Sequence, residues 1–188
     1  GVLLGFGAAL FQSLSYLASR RFVTVYRGST LHLLALGHVI MGLFAATLLL
    51  FVMPRPFPAL SLFAGPVMGS VIFYLGGQAS LFLALRTSHP SRVSPLLGLK
   101  ILMLSLIGPL LLDETPSAIQ WIGVAMSVTG AIFLSRSGER LSRAGLGWIL
   151  AACFCYSISD INIKVLVTRF DALPLFQASL FGVTLCYL

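Results

Sequence analysis

Long apolar stretches separated by short polar turns make up most of this chain. About 20 apolar residues suffice for a helix to cross the hydrocarbon core of a bilayer. Stretches of this length predict six helices, and a seventh begins near Pro174; the six cover 2–19, 31–53, 60–85, 93–112, 117–135 and 145–167. The intervening residues are rich in Gly, Pro, Ser and Asp, which are typical of turns. Because the turns are short, we expect successive helices to pack antiparallel.

Composition points to the same environment. Hydrophobic residues make up 58% of the 188 residues, charged residues make up 9%, and the mean hydropathy is +1.01. Soluble proteins carry about 25% charged residues. A chain this poor in charge cannot cover a surface that faces water, so the sequence predicts an all-α integral membrane protein built as a helical bundle.

The start of the chain recurs at an offset of 144 positions. The identical pairs lie in phase along two apolar segments: Gly1/Gly145, Ala8/Ala152, Ser13/Ser157, Ser15/Ser159, Val23/Val167 and Thr24/Thr168. A duplicated unit of five helices is typical of transporters with inverted repeats. We therefore expect a first repeat at 1–136, an inter-repeat loop at 137–144, and the truncated start of a second repeat at 145–188. The complete protein would have ten helices and about 100 further residues.

Arginine placement predicts an orientation in the membrane. Eight of the ten arginines lie in predicted turns on one side of the bundle: Arg20, Arg21, Arg27, Arg86, Arg92, Arg136, Arg140 and Arg143. By the positive-inside rule this side faces the cytoplasm. We therefore interpret the net charge of +7 as a consequence of the membrane topology and of attraction to lipid headgroups, and not as a sign of nucleic-acid binding.

The junction between the third and fourth predicted helices carries a recognisable pattern. It reads ALRTSHPSRVSPL over residues 84–96, with Asp113 and Glu114 after the fourth helix and Gln120 leading into the fifth. This pattern resembles an EamA-type unit of the drug/metabolite transporter superfamily, over essentially the whole chain. One departure is Lys100, which stands in a helix where many such units carry a proline.

The resemblance implies a secondary transporter in the bacterial inner membrane. Such a carrier would move a small organic metabolite, for example an amino acid or a drug-like compound, by alternating access, with proton coupling as one option. The alternative is a flippase for a lipid-linked substrate, or a membrane scaffold without transport. An enzyme is not expected, because the sequence offers no catalytic constellation. The expected partners are the substrate and the lipid bilayer; no cofactor, metal or nucleic acid is expected, and a homodimer is left open.

Both lysines of the chain, Lys100 and Lys164, lie within hydrophobic segments. A charge inside the membrane costs about 2.5–3.5 kcal/mol on insertion scales, so it requires a wet cavity or a partner. Lys100 is a candidate for binding a substrate carboxylate or phosphate. The alternative is that its side chain extends back to the lipid headgroups.

Asp160 is the only acidic residue well inside a predicted helix. Lys164 follows it at i+4, on the same face and within reach of an ion pair. The repeat counterpart of Asp160 is Tyr16, and Gln12 lies one turn before Tyr16. Inversion of the repeats would bring both stripes towards the central axis, where such carriers bind substrate. We interpret these four residues as cavity-lining, with Asp160 as a candidate proton-coupling group; polar bonds that only join helices are the alternative.

Two further residues, Tyr74 and Gln78, lie four apart in the third predicted helix. We expect them to offer hydrogen bonds to a cavity in the middle of the membrane. The three cysteines, Cys153, Cys155 and Cys186, lie in apolar runs and show neither a disulfide framework nor metal-ligand spacing. They are interpreted as buried thiols.

Overall fold

The computed structural model describes residues 3, 5–8, 10–11, 14–15, 18, 21, 30–54, 58–88, 90–112, 115–136 and 142–188. Every regular element in these ranges is a helix. In chain order they are α1 (Thr30–Val52), α2 (Leu60–Thr87), α3 (Pro90–Leu96), a 3-10 turn (Leu97–Leu99), α4 (Lys100–Leu112), α5 (Ala118–Arg136), α6 (Arg143–Thr168) and α7 (Leu175–Tyr187). The predicted all-α fold is confirmed. The candidate residues Gln12 and Tyr16 lie outside the described residues.

The described helices suit a bilayer. Three are long and apolar enough to cross a membrane by length and composition: Leu60–Leu85, Arg92–Leu112 and Arg143–Thr168. Three further apolar helices are shorter: Ala35–Phe51, Ala118–Leu134 and Leu175–Tyr187. Large apolar side chains face outward, as Leu50 and Phe133 do at 78% and 77% exposure. Apolar side chains are favourable against lipid tails. Because lipid offers no hydrogen bonds, the backbone polar groups must be satisfied within the helix.

α2 packs closely against α6. A Cβ on Gly77 would lie 2.6 Å from the ring of Tyr156, so the absence of a side chain lets the two helices approach. Farther along the interface, the buried Ser159 hydroxyl donates to the carbonyl oxygen of Ser70 at 3.0 Å, and the two hydroxyl oxygens lie 3.2 Å apart. Small residues and interhelical hydrogen bonds are the usual means of packing helices in lipid, where no hydrophobic force drives them together.

Two buried apolar clusters lie at opposite ends of this helix pair. The first gathers Ala84 of α2, Val93 of α3 and Ile149 of α6. The second gathers Phe63 of α2 and Phe181 of α7 around the end of α6. The middle of α6, from residue 156 to residue 160, lies between the clusters. The fold therefore holds α6 firmly at both ends and leaves polar side chains at its centre.

The segment predicted as one helix over 93–112 begins earlier, at Pro90, and is interrupted by the 3-10 turn. Two side chains of α6 bind its carbonyl groups. The Cys153 thiol donates to the carbonyl oxygen of Leu96 at 3.6 Å, and the Ser157 hydroxyl donates to that of Lys100 at 3.2 Å. Pro95 contributes to the interruption because a proline has no N–H for the helical ladder. Lys100 therefore begins α4 directly beside α6.

Candidate functional site

An ion pair joins α4 to α6. The ammonium nitrogen of Lys100 lies 2.6 Å from the carboxylate Oδ2 of Asp160, and the two side chains are 34% and 39% exposed. Each charge thus has a partner of opposite sign within the bundle, which is the arrangement that intramembrane charges require. The sequence predicted both residues as site candidates but did not predict that they contact each other.

Lys164 lies one helical turn beyond Asp160 on α6. Both residues line the same groove. Asp160 therefore has one lysine opposite it on α4 and a second one on its own helix. The i, i+4 spacing brings the two Cβ atoms on α6 to about 5–6 Å from each other.

The groove lies between α4, α5 and α6 and has a volume of about 750 Å³. Its apolar lining includes Ile101, Leu104, Pro109, Leu112, Val124 and Ile161, and its polar lining comprises Ser105, Thr115, Gln120, Asp160 and Lys164. From Ile101 to Leu112 the α4 wall extends about 16 Å. Sites for small organic molecules have volumes of about 300–1,000 Å³, with a mostly apolar wall and a few polar groups. The groove lies within that range of volume and has a mostly apolar wall, but it is open on one side.

One wall residue is fixed by a helix cap. The side-chain amide oxygen of Gln120 accepts from the backbone N–H of Ser117 at 2.7 Å, and the Gln120 N–H donates to the Ser117 hydroxyl at 3.4 Å. This reciprocal pair is a capping box, which satisfies two orphan donors at the start of α5. It holds Gln120 at the end of the groove near the α4–α5 turn.

An aromatic cluster adjoins the ion pair. Tyr74 is at its centre: its ring centroid lies 5.8 Å from that of His38, 6.0 Å from that of Tyr156 and 6.4 Å from that of Tyr187. The amide of Gln78 donates to the Tyr74 hydroxyl at 2.8 Å. The two residues that the sequence predicted as cavity hydrogen-bonders are therefore bonded to each other.

Tyr156 connects this cluster to the ion pair. The ammonium nitrogen of Lys100 lies 5.9 Å from the centroid of the Tyr156 ring, within the range of a cation–π interaction. Tyr156 was not among the candidate site residues predicted from the sequence. The repeat could have indicated it, because Tyr156 lies 144 positions after Gln12, which is a candidate site residue.

A metal site was not expected. Within the ranges that the structure describes, no group of three or more His, Cys, Asp or Glu side chains could hold a metal ion. The three cysteines are free thiols, and Cys153 is buried against the 3-10 turn.

Residues 1–136 match the EamA-like transporter family. The chain belongs to this family. It is therefore an integral membrane protein of the drug/metabolite transporter type, and the family resemblance drawn from the sequence is confirmed. No curated protein and no solved structure matches the chain. Of the ion pair in this EamA-like transporter, Lys100 lies inside the matched range and Asp160 lies beyond it.

Proposed function

We propose that this EamA-like transporter is a secondary carrier that moves a small organic metabolite across the bacterial inner membrane by alternating access. The groove between α4, α5 and α6 would be part of its path. The observation that carries the proposal is the ion pair between Lys100 and Asp160, because Asp160 also lines that groove.

Stability alone is a poor reason for this ion pair. The two side chains are 34% and 39% exposed, and partly exposed ion pairs typically contribute only about 0–1 kcal/mol to stability. In a chain with 9% charged residues, a charge on each of two facing helices is costly to insert. A role in binding a polar group of the substrate supplies a reason to keep them.

The position of the pair also favours alternating access. Lys100 belongs to the predicted first repeat, and Asp160 belongs to the predicted second repeat. In carriers with inverted repeats, one repeat rocks against the other around a central binding site. Such a motion would rearrange the ion pair between the repeats in every transport cycle. A substrate that competes for Lys100 or Asp160 would therefore influence the motion.

Flux through proteoliposomes tests the proposal. The full-length protein is purified and reconstituted, and the uptake of a panel of radiolabelled organic acids, amino acids, amines and sugars is compared with uptake by empty liposomes. We expect saturable flux of at least one compound above the empty-liposome level. Translocation of a lipid-linked probe without flux of any soluble compound would favour the flippase instead, and neither activity would favour the scaffold.

A further inference from the structure

A stripe of buried residues spaced by seven runs along α2, and a second one runs along α6. Seven residues are close to two turns of a helix, so the members of a stripe share one face. The α2 stripe comprises Phe63, Ser70, Gly77 and Ala84, and the α6 stripe comprises Gly145, Ala152, Ser159 and Leu166. Such stripes are typical of two helices that stay in contact over many turns.

The two stripes meet in antiparallel register. The hydroxyl oxygens of Ser70 and Ser159 lie 3.2 Å apart and set this register. It brings three further pairs level with each other: Phe63 with Leu166, Gly77 with Ala152, and Ala84 with Gly145. From Phe63 to Ala84 the stripe extends about 31 Å, which matches the hydrocarbon core of a bilayer at about 30 Å. We call this interface between α2 and α6 the seam.

Side chains beside the stripes oppose sliding of one helix along the other. The ring of Tyr156 lies where a Cβ on Gly77 would be, and the Oδ1 of Asn162 lies where a Cβ on Gly69 would be. A slide by one turn, about 5.4 Å, would bring the Tyr156 ring level with Phe73 in one direction and with Leu81 in the other. Both are large side chains, so the seam has one favoured register.

A side-chain bond closes one end of the seam. Pro66 has no N–H, so the carbonyl oxygen of Leu62 has no helical donor four residues later in α2. The guanidinium of Arg169, at the end of α6, donates to this oxygen at 3.0 Å. α6 therefore supports α2 at the point where the hydrogen bonding of α2 is interrupted.

Another side of α6 is packed more loosely. α4 contains no buried residue. The open groove separates the second half of α4 from Ile161 and Lys164 of α6. The ion pair and the Ser157 hydrogen bond both reach Lys100, at the start of α4. α6 is thus held along its length by α2 and near one end by α4.

The internal repeat retains the α6 stripe. Three of the six identical pairs fall on it: Gly1/Gly145, Ala8/Ala152 and Ser15/Ser159. Identities at a spacing of seven favour a shared surface for packing helices, since small residues let two helices approach in lipid.

We propose that the seam is the fixed axis of the transport cycle: α2 and α6 stay paired, while α4 moves against α6. This inference rests on the proposed function, because alternating access requires one repeat to move against the other. α2 belongs to the predicted first repeat and α6 to the predicted second repeat. Rocking about the seam therefore keeps the repeats together while the ion pair and the groove change.

A disulfide across the seam tests the fixed axis. In the full-length protein with its native cysteines replaced, Ser70→Cys and Ser159→Cys place two thiols where the hydroxyl oxygens lie 3.2 Å apart. We expect the cross-linked protein to keep most of the flux that the same sample shows after reduction. Each single variant, oxidised in the same way, is the control for other effects of the oxidant. Flux that falls to the empty-liposome level on cross-linking and returns on reduction overturns the proposal.

Distances between spin labels test the seam without a substrate and with the native cysteines in place. Labels attached to p-acetylphenylalanine replace exposed leucines in two pairs that share Leu146 of α6. Leu60 of α2 is about 35 Å from Leu146 along the seam, and Leu110 of α4 forms the comparison pair. In lipid nanodiscs we expect a narrow distance distribution for Leu60 with Leu146 and a broader one for Leu110 with Leu146. A distribution across the seam that is as broad as the one from α4 to α6 overturns the proposal.

The two proposals fail in different ways. Absence of flux in the unmodified protein, together with the expected difference between the two label pairs, would remove the carrier and leave α2 and α6 as a rigid pair. Flux that is lost on cross-linking the seam would leave the carrier and remove the fixed axis.

Discussion

Lys100 at the start of α4 and Asp160 in the middle of α6 form an ion pair, with 2.6 Å between the ammonium nitrogen and the carboxylate Oδ2. Ser157 of α6 donates to the carbonyl oxygen of Lys100, and Cys153 donates to that of Leu96 on the other side of the 3-10 turn, so the same helix contacts both the backbone and the charge of Lys100. The pair is one of several contacts that join the family-matched unit, residues 1–136, to the helix that follows it.

Reversing the pair tests whether the two charges interact. Lys100→Asp alone places two carboxylates opposite each other, and Asp160→Lys alone gathers three lysines along the groove. We expect each single variant to lower the melting temperature by several degrees, and the double variant to recover at least half of the loss, because it restores opposite signs. The measurement is the melting temperature in detergent. A double variant as unstable as the sum of the singles would mean that the two charges are independent.

Close packing of α2 on α6 predicts that Gly77→Ala destabilises the protein. The added methyl group would collide with the Tyr156 ring, so the ring or the helix must shift. Gly65→Ala, on the same helix, is the control, because its Cβ would enter open space. Alanine is favoured over glycine in helices by about 1 kcal/mol, so Gly65→Ala should be neutral or stabilising. Equal melting temperatures for the two variants would contradict the close contact.

The bundle fold was predictable from hydropathy because lipid leaves the backbone few options. Without water to satisfy N–H and C=O groups, an apolar stretch must form a helix. The start and end of each described span agree with the sequence prediction to within a few residues. The 3-10 turn was not predicted, because Pro95 and Gly98 alone do not specify where a helix changes its hydrogen-bonding pattern.

The ion pair could not be predicted for a different reason. The sequence shows which residues share a helix, and it offered Lys164 as the local neighbour of Asp160. Which helices lie side by side depends on packing, here on the bonds from Cys153 and Ser157 of α6 to the segment around Lys100, and hydropathy does not encode it. Tyr156 was missed because an aromatic residue in an apolar helix is usually packed core.

Loss of the hydrogen bonds between Ser159 and Ser70 should lower the melting temperature only slightly. Ser159→Ala removes a buried donor to the Ser70 carbonyl oxygen. Interhelical hydrogen bonds in membrane bundles average about 0.6 kcal/mol. We therefore expect a fall of one or two degrees in melting temperature, since about 1 kcal/mol shifts a protein of this size by about 2–4 °C. Ser179→Ala is the control, because that hydroxyl bonds only the carbonyl oxygen of Leu175 on its own helix among the contacts described.

Removal of the Ser157 hydroxyl should affect transport as well as folding. Its proton is shared between the carbonyl oxygen of Cys153 on its own helix, at 2.8 Å, and that of Lys100, at 3.2 Å, so Ser157→Ala should loosen the start of α4 and the position of the Lys100 ammonium. We expect flux to fall several-fold with a small change in melting temperature. Ser157→Thr keeps the hydroxyl and should retain more flux than Ser157→Ala. Equal flux in the wild type and Ser157→Ala would show that this bond does not position Lys100.

Proton coupling through Asp160 stays a prediction. We expect an imposed pH gradient, with the membrane potential clamped, to drive accumulation of the compound that the flux assay identifies. Asp160→Asn should abolish this accumulation, because an amide cannot carry the proton. Accumulation in Asp160→Asn that still follows the gradient would contradict this role.

The most direct measurement is flux in proteoliposomes that contain equal amounts of folded wild type, Lys100→Ala or Arg169→Gln. Both variants remove one positive charge, but only Lys100 contacts Asp160. The account predicts that Lys100→Ala falls to the level of empty liposomes, whereas Arg169→Gln keeps most of the flux. Wild-type flux in Lys100→Ala would contradict it.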